Sequence, residues 1–259
     1  MKLLPKVMVA PNGARRGRKD HPNIPITDDQ LIETAQACFE AGADGLHAHV
    51  RDDDGLHLLD AGRYRALLDR LSEDVPGMFL QVTSEAGGRY EAAVQQQVVR
   101  DLRPENVSVA LREMVRQDGD WGAACAFYDW AAGEGVTIQH ILYSLGELDR
   151  FIEACSSGGI PGDHHLIQLV LGTYDGTEIS RPEMVADYVA RMGASDQTYD
   201  WMMCAFGPEE TVCLAEVARL GGKVRVGFEN SLWNADGSVA QDNAERVREV
   251  RGTIAAVAG

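Results

Sequence analysis

The 259-residue chain carries 24 Lys+Arg against 40 Asp+Glu, a formal net charge of −16, which argues against a protein that wraps nucleic acid or lies on an anionic membrane. Hydrophobic residues make up 45% and charged residues 25%, the balance of a folded globular chain, so disorder is excluded as the main state. The length suits one barrel-sized domain, expected to span residues 1–259.

No run of 18 apolar residues occurs, and the N-terminal stretch lacks an apolar core followed by a small-residue cleavage site. Cys38, Cys125, Cys155, Cys204 and Cys213 are scattered without CxxC spacing. Reduced thiols in a cytoplasmic protein are the expectation. Against the acidic background stands one basic cluster, Arg15-Arg16-Gly17-Arg18-Lys19.

In chain order, short apolar runs alternate with longer amphipathic ones. A strand over 6–10 precedes a helix opened by Thr27-Asp28-Asp29-Gln30, a capping-box pattern, with Leu31, Ala35, Cys38 and Phe39 at helical spacing. The stop at Ala41-Gly42 suits glycine at a helix end. The following strand and helix pairs are expected at 45–50 and 61–71, 78–83 and 90–102, 106–110 and 122–132, 136–143 and 148–154. Three more fall at 166–171 and 182–192, 201–205 and 209–220, and 224–228 and 240–256. Eight units of roughly 32 residues, with near-continuously apolar strands, predict an α/β fold, a single (β/α)₈ TIM barrel. The rival, a doubly wound open sheet, would usually carry a GxGxxG turn, and none occurs.

A barrel of this type places its active site where the strands end. His47-x-His49 is the sharpest feature there, because residues two apart on a strand share a face and both imidazoles can reach one ion. Glu229, at the end of the last strand, is the natural third ligand for a catalytic Zn²⁺, since strands eight, one and two are neighbours in a closed ring. The bland alternative is two core histidines that only hydrogen-bond. Arg225 has an even separation from Glu229 and on a strand would share its face, beside a metal or in a structural ion pair.

Thr83, Ser84 and Ser108 could donate to substrate oxygens or cap the next helices. Gly87-Gly88 could let a ligand approach the backbone or only turn the chain. The adjacent His164-His165 face opposite sides and read as structural. His21, His57 and His140 receive no role, and Cys204 lies near a strand end.

These residues resemble the β-keto acid cleavage enzyme family, of which 3-keto-5-aminohexanoate cleavage enzyme is the named type. The resemblance rests on Ala10-Pro11-Asn12-Gly13-Ala14, His21-Pro22-Asn23-Ile24-Pro25-Ile26-Thr27, the run Ala41 to Asp52 containing His47-Ala48-His49, Arg103-Pro104-Glu105, and Gly221 to Asn230 with the tail Gly237 to Ala244. It implies a Zn²⁺-dependent TIM barrel, usually a homotetramer, that condenses a β-keto acid with acetyl-CoA and releases acetoacetate and a new acyl-CoA. It further implies His47, His49 and Glu229 as zinc ligands, Arg225 as the catalytic arginine, and Thr83 and Ser108 as substrate contacts.

Two departures stand out against the family. Its strand-eight motif reads Glu-Asp-Asn, with the aspartate as part of the base, whereas this chain has Glu229-Asn230-Ser231, and an asparagine has no useful basicity. Glu85 could replace it, or could simply face a helix N-terminus. At the positions where the aminohexanoate enzyme carries two amine-binding glutamates stand Arg15 and Ile141, which disfavours an ammonium substrate and favours an acidic or uncharged side chain. Alternative readings are a zinc-dependent aldolase, lyase or hydrolase acting without CoA, and a non-catalytic ligand-binding barrel.

Overall fold

In a computed structural model, which describes residues 3–257, eight strands close into one all-parallel barrel in sequence order. The strands are β1 (Val7–Val9), β2 (Gly45–Ala48), β3 (Phe79–Thr83), β4 (Asn106–Ala110), β5 (Thr137–Leu142), β6 (His164–Leu171), β7 (Thr198–Ala205) and β8 (Lys223–Val226). The helices are α1 (Asp28–Glu40), α2 (Ala61–Asp74), α3 (Ala92–Leu102), α4 (Leu111–Met114), α5 (Trp121–Gly133), α6 (Leu145–Ser156), α7 (Met184–Gly193), α8 (Glu210–Arg219) and α9 (Asn243–Val257). The short α4 and a 3₁₀ turn at Asp118–Asp120 are additions to the sequence-based expectation.

Local chemistry accounts for the elements. At the start of α1, Thr27 Oγ1 accepts from the Gln30 amide at 3.3 Å while Gln30 Oε1 accepts from the Thr27 amide at 3.2 Å, the reciprocal cap read from the sequence. Leu31, Ile32, Ala35 and Cys38 turn inward, whereas Phe39 is exposed. The largest apolar cluster fills the layer between barrel wall and helices, with Val7, Val9, Leu46, Val107, Ile167 and Val224 meeting Leu67, Phe127, Phe151 and Val247.

Strand register places residues of one parity inside the barrel. Met8 lies opposite both Gly45 and Arg225, His47 opposite Gln81, Thr83 opposite Ser108, and Ser108 opposite Gln139. From the N-terminal end upward the lumen holds the Lys223–Asp200 ion pair, then Leu4, Met8, Leu166 and Met202, then hydrogen-bonded glutamines. The barrel is therefore plugged from below and open only at its C-terminal rim.

Two strand ends differ from expectation in ways that shape the site. β2 stops at Ala48, and the His49 carbonyl is taken by Asn12 Nδ2 at 2.9 Å. β8 stops at Val226 because Gly227, at φ +135°, turns the chain. A Cβ at that position would stand 2.6 Å from the Ala10 carbonyl oxygen, so only glycine fits. All five cysteines are free, and among the described residues no helix is long and apolar enough to cross a membrane.

Candidate active site

His47, on β2, and His49, just beyond it, present their Nε2 atoms 3.1 Å apart. Glu229 Oε2 approaches them at 3.7 and 3.5 Å. One ligating atom from each of the three lies within 4.8 Å of the others, and all three residues are buried. His47 Nδ1 sits 2.8 Å from Gln81 Oε1, and Gln81 Nε2 donates to Gln139 Oε1 at 2.8 Å. Because the glutamine oxygen only accepts, His47 carries its proton on Nδ1 and leaves Nε2 bare.

Burial pushes the His47 pKa down to about 4 and that of His49 to about 3, so both rings are neutral at pH 7. Burial alone would raise Glu229, but Arg225, His47 and His49 outweigh it and hold the carboxyl well below the usual range. Glu229 Oε2 is buried and makes no hydrogen bond, the two imidazole Nε2 atoms being its polar neighbours. Two neutral imidazoles and an orphaned carboxylate oxygen converging on one point fit a divalent cation, and the His₂Glu donor set is one that zinc takes.

Arg225 on β8 donates to Glu229 Oε1 at 3.0 Å. On a continued strand, residues four apart would be too far separated to touch. The contact exists because the chain folds back after Val226, with the Asn230 and Ser231 amides both donating to the Gly227 carbonyl. Gly13, at φ +59°, packs under the acid, and a Cβ there would meet Glu229 Cγ at 2.5 Å. The expected Arg225–Glu229 neighbourhood is present, but turn geometry rather than strand parity creates it.

A cavity of about 400 Å³ opens above this cluster, lined by Arg15, Glu85, Arg112, Tyr143, Tyr174 and Arg225 among others, with Glu229 at its floor. Glu85 Oε2 lies 3.9 Å from His49 Nε2, and burial, aided by Glu229 and Glu113, pushes its pKa up to about 8. The backbone carbonyl of Glu85 accepts from His57 Nε2 at 2.7 Å, which gives a supporting place to a histidine left without a role above.

Thr83, Ser84 and Ser108 are buried beneath the loop and engaged locally. Thr83 Oγ1 accepts from the Glu85 amide at 3.0 Å, Ser84 Oγ donates to the Ser108 carbonyl at 3.0 Å, and Ser108 Oγ reaches Thr83 Oγ1 at 3.4 Å. Asn230 is buried with neither side-chain polar atom bonded, and it does not line the cavity. Ile141 packs with Ala110, Val170 and Cys204 in the upper lumen.

Sequence reasoning missed Gln81 and Arg51. Gln81 could have been found from its even spacing to Thr83 on an inward-facing strand. Arg51 Nη2 collects the carbonyls of Asn12, Gly13 and Arg16 at 3.2, 2.5 and 2.9 Å, a convergence that no spacing rule reveals.

Barrel, rim cavity and a two-histidine, one-carboxylate cluster define the class: a TIM-barrel protein with the makings of a metal-assisted catalytic site. The sequence model described as beta-keto acid cleavage enzyme matches residues 6–259, and the chain belongs to that family. It is similar to the 3-oxoadipate:acetyl-CoA acetyltransferase of Cupriavidus necator, 27% identical over 248 residues, covering 94% of this chain and 86% of that protein. The 3-keto-5-aminohexanoate cleavage enzyme of Acetoanaerobium sticklandii is 26% identical over 245 residues, covering 92% and 87%. Among solved structures, ObcA in ternary complex with a C4-CoA adduct and oxalate superposes with a TM-score of 0.71 at 18% identity, over 91% of this chain and 64% of that one. This chain thus spans less than two thirds of ObcA, and that likeness shows the fold.

Proposed function

We propose that the protein is a zinc-dependent enzyme that exchanges acyl groups between a β-keto acid and acetyl-CoA. In the balanced reaction, R–CO–CH₂–COO⁻ and CH₃–CO–SCoA become CH₃–CO–CH₂–COO⁻ and R–CO–SCoA. The observation that carries this reading is the convergence of His47, His49 and Glu229 on one point, with Glu229 and Arg225 also lining the rim cavity. The C. necator and A. sticklandii relatives support the choice of substrates.

His47, His49 and Glu229 would hold the ion, which when bound supplies Lewis-acid stabilisation of the negative charge that develops as an α-proton leaves a keto acid. Arg225 lines the cavity and brings a guanidinium charge to it that suits a substrate carboxylate. Glu85 lines the same cavity and is the carboxyl placed to take the α-proton, its pKa of about 8 leaving only a minor deprotonated but strongly basic fraction at neutral pH. Asn230 has no basic atom and lies off the cavity wall, so the proton is not assigned to it. Thr83, Ser84 and Ser108 support the segment that carries Glu85, and Arg15 meets the substrate side chain at the cavity mouth. The free cysteines suit a cytoplasmic, reducing setting, and one domain assembled as a homotetramer follows the resemblance.

A panel of β-keto acids incubated with and without acetyl-CoA tests the reading. Acetoacetate and a new thioester should appear only when both substrates are present. The missing aspartate at Asn230 favours a second reading, cleavage without CoA, and turnover independent of any thioester would establish that reading instead. A non-catalytic barrel would turn over nothing under either condition.

A further inference from the structure

Within the basic run Arg15 to Lys19, only Arg15 has a part in the chemistry described above. The run lies in the loop between β1 and α1, at the rim that carries the cavity. Arg15 lines the cavity mouth, while Arg18 lines a separate groove of about 320 Å³ bounded by Pro22, Asn23, Pro25 and Asp242. The loop therefore runs from the reaction cavity to a second concave surface outside it.

Its backbone is held rigidly. Arg51 binds three of its carbonyls or their neighbours, Arg16 donates to the Phe228 carbonyl at 2.7 Å, and Asp20 accepts from the Gly17 amide at 2.8 Å. Arg15 and Arg16 lie against the Tyr174 ring, 5.5 and 5.0 Å from its centroid. Among the described residues, Arg15, Arg18 and Lys19 form no ion pair and donate no side-chain hydrogen bond, and all three are exposed. Arg15 shares its cavity with Glu85 and Glu113 and feels both, whereas around Arg18 and Lys19 Asp20 accepts within its own turn, Asp242 faces Arg248 at 4.0 Å, and Glu33 is a further lining residue of the groove. A chain of net charge −16 repels a polyanion over most of its surface, so the free cations Arg18 and Lys19, on the loop that also reaches the cavity, mark where one can land.

We propose that this loop is a phosphate-binding rim, in which Arg18 and Lys19 receive the phosphates of the acyl-CoA whose thioester enters the cavity. The proposal rests on the acetyl-CoA reading above. Coenzyme A suits the layout, because its pantetheine arm separates the thioester from the phosphates and leaves the charged end outside the cavity. Exposed cations act by charge rather than by shape, so the contribution must weaken with salt.

The test uses Arg18→Glu/Lys19→Glu, which leaves Arg15 and Arg16 in place. Calorimetry with CoA, and KM measured for acetyl-CoA and for phosphate-free S-acetyl-N-acetylcysteamine, separate the possibilities. The double variant should weaken CoA binding and raise KM for acetyl-CoA by about tenfold at low salt, shrinking as salt rises, with no such change for the short thioester. An unchanged CoA affinity, or equal effects on both thioesters, overturns the rim while leaving the reaction intact. Wild-type turnover that ignores thioesters altogether removes the functional reading, and the rim with it.

Discussion

His47 Nδ1 and Gln81 Oε1 stand 2.8 Å apart, and this single contact decides which nitrogen of His47 is free to bind a cation. The two residues are register partners on β2 and β3, so the barrel itself fixes the tautomer. Gln81→Leu should therefore lower metal affinity by about 10- to 100-fold without touching a ligand, as outer contacts of metal-bound histidines generally do. Competition with a chromogenic chelator measures it; an unchanged affinity would remove Gln81 from the account.

Gly13→Ala should cripple the site from behind. The new methyl would fall 2.5 Å from Glu229 Cγ on a residue at φ +59°, displacing the carboxylate and straining the turn by about 1–2 kcal/mol. Metal content should fall with only a small loss in the urea midpoint. Full metal loading in this variant would show that Glu229 does not hold the ion.

Arg225→Met should make metal binding sensitive to acid. With its guanidinium partner gone, Glu229 loses the first of the influences that hold it down against burial, and its pKa rises. Protons then compete with the ion at higher pH than in the wild type, so the pH at half-loading should move upward. A shift in the opposite direction would contradict the assigned electrostatics.

His140 provides a stability test away from the site. Burial, with His165 as a lesser cause, lowers its pKa from 6.5 to about 3, and it lies among the rings of Tyr128 and Phe151. The unfolded chain takes up a proton below pH 6.5 that the folded chain refuses, so this contribution is complete above 6.5 and is lost as pH falls toward 3. The cost is about 1.4 kcal/mol per pH unit for each such histidine. His140→Leu should flatten the decline of the urea midpoint between pH 6.5 and pH 5, and an unaltered slope would sink the assignment.

Much of the architecture could be read directly because each unit obeys a local rule. Thr27 and Gln30 announce the start of α1, and the parity of His47 against Thr83 and Ser108 follows from pleated strands. The boundaries shifted where tertiary contacts intervene: Asn12 captures the His49 carbonyl and ends β2, and Gly227 ends β8 against Ala10. The Arg225–Glu229 contact was anticipated for a reason the turn does not obey. Gln81 was within reach of strand parity, but Arg51 stayed hidden because its importance lies in the carbonyls that converge on it from a distant segment, which composition and spacing do not encode.

Elemental analysis of the purified protein after zinc supplementation and exhaustive dialysis tests the central claim most directly. The account predicts close to one zinc per wild-type chain and almost none in His47→Ala or His49→Ala. A wild-type protein without near-stoichiometric metal, or alanine variants that retain it, would contradict the site on which the proposed chemistry depends.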